Sequence, residues 1–215
     1  MTKKLRIDFV SDVVCPWCVI GLKSLETAIA NAGDVLTADI HFQPFELNPD
    51  MPPEGENVAE HVARKYGADA TRSEGTRDLI RSSAAELGFT MATTRESRIW
   101  NTFDCHRLLH WAEEQGRQPA LKMALFTAHF TDQKNLVDPD VLVDAAIAAG
   151  LDGDAARQVL ESGAYIAEVR RDERFWREQG INAVPAIVIE GKYLITGGQP
   201  VAAFEKALRR IAAEA

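Results

Sequence analysis

The Cys15-Pro16-Trp17-Cys18 stretch limits the possible folds of this chain more than any other part of its sequence. Before it, Leu5, Ile7 and Phe9 alternate with polar residues as in a strand, and after it apolar residues recur at helical spacing. Proline is favoured in the first turn of a helix, where its missing N–H group removes no hydrogen bond. The pattern therefore places Cys15 at the N-terminus of a helix that follows a strand.

The position and spacing of the two cysteines favour redox chemistry. Unpaired N–H groups and the macrodipole at a helix N-terminus stabilise a thiolate, so we expect Cys15 to be the nucleophile. Cys18 follows on the same helical face, with side-chain origins about 5–6 Å apart. A disulfide can span that separation. We therefore expect Cys18 to be the resolving thiol.

The alternatives for this pair are a structural disulfide, half of a zinc site, or two unrelated buried thiols. Zinc needs two further ligands, and the remaining cysteine, Cys105, has no companion at metal-binding spacing. On its predicted helix, Cys105 is expected to pack as a small hydrophobe. The sequence thus favours a redox pair and predicts no metal.

Composition excludes several classes of protein. The chain has 215 residues with a net charge of −8, and its cations are scattered among acids, which argues against a nucleic-acid surface. No signal-peptide core follows the N-terminus, and no apolar run reaches the length of a membrane span. We expect a cytoplasmic monomer or homodimer, without membrane or nucleic-acid partners.

Periodicity along the chain predicts strand, helix, strand, a long helical block, two strands and a helix. The second strand covers Leu36 to Phe45, and a Pro-rich loop ends near Gly55. No convincing strand follows until Gly180. The helical segments are roughly 57–66, 69–88, 95–115, 118–131, 139–149, 153–161 and 164–179. Short apolar runs around Glu190-Gly191 predict a hairpin, and a last helix buries Val201, Phe204, Leu208 and Ile211.

This order resembles the thioredoxin fold with a helical insertion, as in the DsbA family. Four stretches resemble its FrnE-type branch of cytoplasmic oxidoreductases: Ser11–Cys18, Phe42–Pro49, Asn101–Leu108 and Gly180–Ala186. The resemblance implies an α/β fold, with a large all-helical insertion between the second and third strands. The implied thioredoxin-fold domain is 1–55 and 164–215, and the implied inserted helical domain is 56–163.

In that family the proline equivalent to Pro185 is cis and faces the cysteines. The resemblance implies that the backbone of Val184 faces Cys15 and binds an extended peptide as an added strand. The alternative is an ordinary proline at the start of a strand. Pro16 and Trp17, between the cysteines, are candidate substrate contacts, and packing over the disulfide is the alternative for Trp17.

Four further residues are candidates with open alternatives. Asp8 is polar in a central strand and is a candidate proton relay for the resolving cysteine, unless it faces solvent or caps a loop. Asp12, beside the motif, is expected in a turn or cap, because an inward carboxylate would oppose a thiolate. Asn101 and Arg107 lie in the stretch that resembles the family's helical cap. They are candidate contacts for glutathione or a substrate carboxylate, with helix-surface solvation as the alternative.

The expected activity is thiol–disulfide exchange between the Cys15/Cys18 dithiol and protein or small-molecule disulfides. No cofactor is expected, and glutathione is a candidate co-substrate. One alternative is a glutathione-dependent enzyme, since 2-hydroxychromene-2-carboxylate isomerase and kappa-class glutathione transferase share this fold. Those relatives typically carry serine at the position of Cys15. The other alternative is a holdase-like chaperone with an apolar groove in its helical cap.

Overall fold

The computed structural model describes residues 2–67 and 70–214. In chain order its elements are β1 (Lys3–Ser11), α1 (Pro16–Asn31), β2 (Leu36–Pro44), β3 (Glu56–Asn57), α2 (Val58–Tyr66), α3 (Ala70–Glu86), β4 (Arg98–Ile99), α4 (Phe103–Glu114), α5 (Gln118–Phe126), α6 (Pro139–Ala148), α7 (Gly153–Glu161), α8 (Ile166–Glu178), β5 (Ala186–Ile189), β6 (Tyr193–Thr196) and α9 (Val201–Glu214). A π-helical turn, Thr127–Thr131, continues α5. Residues 1, 69 and 215, at which predicted ranges begin or end, lie outside the described residues.

The central sheet has four strands in the order β2-β1-β5-β6. β1 runs parallel to β2 and antiparallel to β5, and Phe9 is opposite both Phe42 and Ile187. β5 and β6 form the predicted hairpin. Its two turn residues, Glu190 and Gly191, have φ values of 55° and 62°, as a tight hairpin turn requires. The predicted α/β architecture is thereby confirmed.

Hydrophobic cores form on both faces of the sheet. Phe9 packs in the larger core with Leu22 of α1 and Leu208 of α9, and these two helices lie side by side. Val10 packs in a smaller core with Trp176 of α8. Successive residues of a strand point to opposite faces, so β1 supplies apolar surface to both layers.

The helical block between β2 and β5 differs from the prediction at one place. A two-stranded ribbon pairs β3 with β4 where no strand was expected, and α4 begins at Phe103 instead of near residue 95. The guanidinium of Arg98 donates to the carbonyls of Glu54 and Gly55, at 2.6 and 2.9 Å, and holds this segment extended. The Oδ1 atom of Asn101 accepts the N–H of Phe103 at 3.0 Å in a turn just before α4, whose N-cap residue is Thr102.

Helix α5 connects the helical block to the edge of the sheet. The side chain of Gln118 accepts the N–H of Phe42 at 2.8 Å and donates to the carbonyl of Phe42 at 3.0 Å. This pair of bonds satisfies backbone groups of β2 that an edge strand would otherwise leave open. Within the described part of the chain, no helix combines the length and apolarity that a bilayer crossing requires.

Candidate active site

Cys15 lies at the junction that the sequence predicts. It is the N-cap of α1, with extended backbone angles (φ −92°, ψ 111°), and Pro16 begins the helix. The N–H of Cys18 donates to the carbonyl of Cys15 at 3.0 Å. Both cysteines are free thiols in this structure, with exposed fractions of 4% for Cys15 and 0% for Cys18. Both residues are buried, and of the two only Cys15 keeps a small accessible fraction.

The loop before β5 brings Val184 and Pro185 to the same place. The peptide bond between them is cis. The thiol of Cys15 donates to the carbonyl oxygen of Val184 across 3.7 Å. Both residues thus lie beside Cys15, as the resemblance implied.

Two glycines allow this close approach, and the prediction did not include them. A β-carbon on Gly198 would lie 3.0 Å from the carbonyl oxygen of Trp17, inside the contact distance of real side chains. Gly21 faces the ring of Pro185 in the same way. The available signal was a glycine one helical turn after Cys18, together with the Gly197-Gly198 pair near the end of the chain.

Burial separates the other two thiols from Cys15. It raises the pKa of Cys18 well above the ordinary value, and the hydrogen bond and charge of Cys15 raise it further. Burial also raises the pKa of Cys105. Both sulfurs are therefore protonated thiols near neutral pH, which suits a resolving role for Cys18 and a packing role for Cys105.

Asp12 points into the protein, contrary to the expectation of an outward cap. Its Oδ2 atom accepts the N–H of Leu47 at 2.7 Å, and its Oδ1 atom lies 3.5 Å from Nε2 of His106. Burial alone would raise the pKa of Asp12, but the interactions with His106, Leu47 and Thr102 outweigh burial and lower it. Asp12 thus joins the start of α1 to the loop after β2 as a buried carboxylate.

Asp8 is not placed for the relay that we considered. Its carboxylate pairs with Arg6 at 2.8 Å and accepts from Nε2 of Gln43 at 2.8 Å. It lines a surface cleft with Trp176 and Val188. Because Asp8 alternates with Phe9, it lies on the α8 face of the sheet, whereas Cys18 belongs to the core on the α1 face. With 6% of the residue exposed, Asp8 is a buried, paired carboxylate on the opposite face of the sheet from Cys18.

Arg107 is used inside the protein, which corrects the expected role in ligand binding. A guanidinium has five N–H groups. In Arg107 these donate to Asp104 and to the carbonyl oxygens of Val159, Leu160, Ser162 and Ala164. With 4% of the residue exposed, Arg107 holds the C-terminus of α7 and has no N–H group left for a ligand.

The remaining candidates have mixed surroundings. Asn101 is half-buried and lies just before α4, and its Nδ2 atom lies 3.4 Å from Oε1 of Glu46 and from the carbonyl oxygen of Pro49. Trp17 is half-buried and packs against the main core, as the packing alternative requires, and Pro16 is also half-buried. In the residues that the structure describes, no group of three or more His, Cys, Asp or Glu side chains could hold a metal ion.

Comparison with a protein family and with solved structures finds DsbA-like relatives in both cases. Residues 6–209 match the DSBA-like thioredoxin domain family. The crystal structure of a probable DsbA oxidoreductase from Streptomyces coelicolor, SCO1869, is 34% identical, with a TM-score of 0.90 over 98% of this chain and 91% of that chain.

Two further relatives are more distant. The uncharacterized protein YwbO of Bacillus subtilis is 29% identical over 95% of this chain and 96% of its own length. The cytosolic disulfide reductase DsbM from Pseudomonas aeruginosa is 15% identical, with a TM-score of 0.66 over 98% of this chain and all of that chain, and shares the fold.

Proposed function

The chain belongs to the DSBA-like thioredoxin domain family, and we propose that it is a thiol–disulfide oxidoreductase whose working group is the Cys15/Cys18 dithiol. One observation carries the proposal. Cys15 is the N-cap residue of α1 and its thiol meets the carbonyl of Val184 at 3.7 Å, while Cys18 is fully buried. A thiol at a helix N-terminus with a second, more deeply buried thiol three residues later is an arrangement that suits disulfide exchange.

The exchange has two steps. The thiolate of Cys15 attacks one sulfur of a substrate disulfide, forms a mixed disulfide, and releases the other substrate sulfur as a thiolate. Cys18 then loses its proton and attacks Cys15, which forms the Cys15–Cys18 disulfide and releases the second substrate thiolate. The substrate is reduced by two electrons and the protein is oxidised by two. The reverse sequence oxidises a substrate dithiol.

The Val184–Pro185 loop supplies a place for the substrate backbone. Val184 directs its carbonyl oxygen at Cys15, and its own backbone is free of a ladder partner because β5 begins at Ala186. An extended peptide, or the peptide portion of glutathione, can bind there by backbone hydrogen bonds beside the reacting sulfur.

Glutathione is the small-molecule partner that we favour. DsbM of Pseudomonas aeruginosa is a cytosolic disulfide reductase whose structure has also been solved with GSH. In a cytosolic compartment, glutathione keeps exposed thiols reduced, so the resting protein is a dithiol. No cofactor enters either step.

The test compares insulin reduction by the parent with four variants. We expect Cys15→Ser and Cys18→Ser to lose catalysed reduction, and Cys105→Ala, which removes a buried sulfur outside the motif, to retain it. Cys18→Ala should accumulate a mixed disulfide on Cys15 that mass spectrometry detects. Equal reduction by the parent and Cys15→Ser would contradict the proposal.

The alternatives predict different results with the same proteins. A glutathione-dependent isomerase would keep its activity on 2-hydroxychromene-2-carboxylate in Cys15→Ser, because it activates the thiol of glutathione. A holdase-like chaperone would suppress aggregation equally well as the Cys15→Ser/Cys18→Ser double variant. Either result, with no insulin reduction by the parent, would replace dithiol exchange as the function.

A further inference from the structure

Two ionisable side chains, Asp12 and His106, face each other in the interior next to the segment that carries Cys15. Oδ1 of Asp12 lies 3.5 Å from Nε2 of His106, and the exposed fractions of the two residues are 0% and 2%. Among the described residues, neither of these atoms has a hydrogen-bond partner. No hydrogen bond from that part of the chain therefore competes with the contact between them.

The contact indicates where the ring of His106 carries a proton. A carboxylate oxygen only accepts hydrogen bonds, whereas each ring nitrogen of histidine either donates or accepts. An unprotonated Nε2 would set its lone pair against Oδ1 of Asp12, and a protonated Nε2 presents an N–H group to it. We therefore expect a proton on Nε2 of His106, in the neutral ring or in the charged one.

Folding alone does not explain a buried pair of this kind. Replacing a buried ion pair by apolar side chains often leaves stability unchanged or raises it. An inward carboxylate so close to Cys15 also opposes the formation of a thiolate there, which is why Asp12 was expected to point outwards. The inward position of Asp12 and the partner that the helical insertion supplies to it thus indicate a role in the reactivity of Cys15.

A continuous path of contacts leads from the helical insertion to the backbone of Cys15. The N–H of Cys15 donates to the carbonyl oxygen of Asp12 at 3.3 Å, which closes a four-residue turn directly before α1. On the side chain of Asp12, Oδ2 accepts the N–H of Leu47 at 2.7 Å. His106 belongs to the first part of α4, where its N–H donates to the carbonyl of Thr102, the N-cap residue, at 3.1 Å. Asp12 is therefore held from two sides while it holds the turn that ends at Cys15.

We propose that Asp12 and His106 are positioning residues for Cys15, and that through them the helical insertion sets how readily the thiolate of Cys15 forms. The inference rests on the proposed dithiol exchange, in which that thiolate attacks the substrate. The carboxylate of Asp12 fixes the turn and thereby the place of Cys15 at the helix N-terminus. The N–H of His106 offsets the negative charge that the same carboxylate brings close to the thiolate.

Other ionisable groups surround this pair on several elements. The charge of Asp12 also acts on Lys65 of α2, on Lys122 of α5 and on His129 in the π-helical turn, and the charge of His106 acts on Glu46. Lys65 is bound to the carbonyl of Leu47 at 2.8 Å, and Glu46 is bound to Arg170. The variants below leave all of these groups in place, so a change in Cys15 reports on the pair.

The first test measures the rate at which iodoacetamide alkylates Cys15 from pH 4 to pH 9. Asp12→Asn should lower the midpoint of this pH profile by at least about 0.5 pH unit, because it removes the charge that opposes the thiolate. His106→Phe should raise the midpoint, since the carboxylate then acts without its partner. His106→Phe should have no effect in the Asp12→Asn background, because the coupling needs both side chains.

Two further variants serve as controls for the same profile. His106→Gln keeps an N–H group near the place of Nε2 and should restore the parent midpoint. His110→Phe makes the matched change one turn later on α4, where Nδ1 of His110 lies 3.7 Å from Asp172, and should leave the midpoint unchanged. Unchanged midpoints in Asp12→Asn and His106→Phe would overturn the inference. So would a midpoint that falls in His106→Phe, or a shift that persists in the Asp12→Asn background.

The redox equilibrium with glutathione gives an independent measurement. A pair whose reduced form is stabilised by a thiolate is more oxidising. Asp12→Asn should therefore shift the equilibrium towards the dithiol by at least about threefold, as a midpoint change of about 0.5 pH unit corresponds to. A merely structural pair would lower the free energy of unfolding in the variants and leave both the equilibrium and the pH profile as in the parent.

A last measurement uses the parent protein and does not depend on a variant folding. Nitrogen NMR of the His106 ring at pH 7 should show the proton on Nε2, and an unprotonated Nε2 would overturn the inference by itself. A parent that reduces no insulin, whatever the state of His106, would instead overturn the proposed function, and the inference with it.

Discussion

Helix α1 rests on the ring of Pro185 at a point where Gly21 has no side chain. A β-carbon at Gly21 would lie 3.1 Å from Cγ of Pro185 and 3.2 Å from the α-carbon of Gly198. The first distance is to a rigid ring and the second to backbone, so neither neighbour can rotate away. The separation between Cys15 and the cis-proline loop therefore depends on this glycine.

Gly21→Ala should destabilise the protein by about 1–3 kcal/mol, the usual effect of overpacking a tight contact. Gly75→Ala is the matched control, because Gly75 also lies inside a helix but has nothing within 4 Å of its added β-carbon. Alanine should be neutral there or stabilise by up to ~1 kcal/mol. Urea unfolding measures both. Equal effects of the two substitutions would show that helix propensity, and not the contact with Pro185, decides the outcome.

Alkylation by iodoacetamide at pH 7 should modify Cys15 well before Cys18 and Cys105. Burial raises the pKa of the latter two thiols, which reduces their reactive thiolate. Peptide mapping at successive times gives the order of modification. Cys15→Ser should remove the fast phase, and fast modification of Cys18 in the parent would reverse the assignment of nucleophile and resolving thiol.

Arg107→Met should destabilise the protein by about 2–4 kcal/mol, because it leaves buried carbonyl groups at the end of α7 without donors. The control is Arg210→Met: the Arg210 side chain is 70% exposed, and its Nε atom lies 3.5 Å from Oε1 of Glu214. Exposed pairs of this kind contribute about 0–1 kcal/mol. Thermal unfolding of both variants compares them. A small change in stability in Arg107→Met would restore the ligand-binding role for Arg107. So would a loss of glutathione binding in a variant that is not destabilised.

Stability should rise with pH between about pH 4 and pH 6.5 because of His129. Burial lowers the pKa of this histidine from 6.5 to about 4 in the folded protein. Within that window the unfolded chain binds a proton that the folded protein does not bind, so stability is present above pH 6.5 and falls as the pH falls towards 4. The loss between pH 7 and pH 5 should be about 2 kcal/mol.

The variant His129→Phe isolates this contribution. Phenylalanine keeps a ring against Phe130, whose centre lies 4.5 Å from that of His129, but it cannot bind a proton. Urea unfolding at pH 5 and pH 7 should show a smaller difference in the variant than in the parent. An unchanged difference would assign the pH dependence to other groups.

Lys122→Met should increase stability by about 1–3 kcal/mol. The substitution removes a buried polar group that has no hydrogen-bond partner among the described residues and keeps a similar volume between Phe42 and Phe126. Thermal unfolding measures the change. A destabilised Lys122→Met would mean that the ammonium contributes to folding.

The features that local pattern fixes were predictable. Alternation in β1, helical spacing in α1 and the proline at position 16 together placed Cys15 at the helix N-terminus, where the structure has it. The Glu190-Gly191 turn and its hairpin also depend on neighbouring residues alone. The cis peptide before Pro185 has no local signal, and only the family resemblance indicated it.

The features that were missed depend on partners far along the chain. Arg98 is held extended by carbonyl groups more than forty residues before it. The residues of the β3–β4 ribbon therefore show no alternating pattern in the sequence that would predict a strand. Polarity alone does not tell which face of β1 receives Asp8, or that Lys122 enters the core. Arg107 has an ordinary helical position in the sequence, and its acceptors on α7 follow some fifty residues later.

Because Gln118 binds both backbone groups of Phe42, the helical insertion cannot be deleted without a cost to the sheet. A minimal chain that joined β2 directly to β5 would uncover two backbone groups and also remove the α5 side chains that pack against Phe42. Engineers who wish to graft the redox behaviour of this protein onto another scaffold should therefore transplant α5 together with β2, as one unit with the Cys15–Cys18 segment.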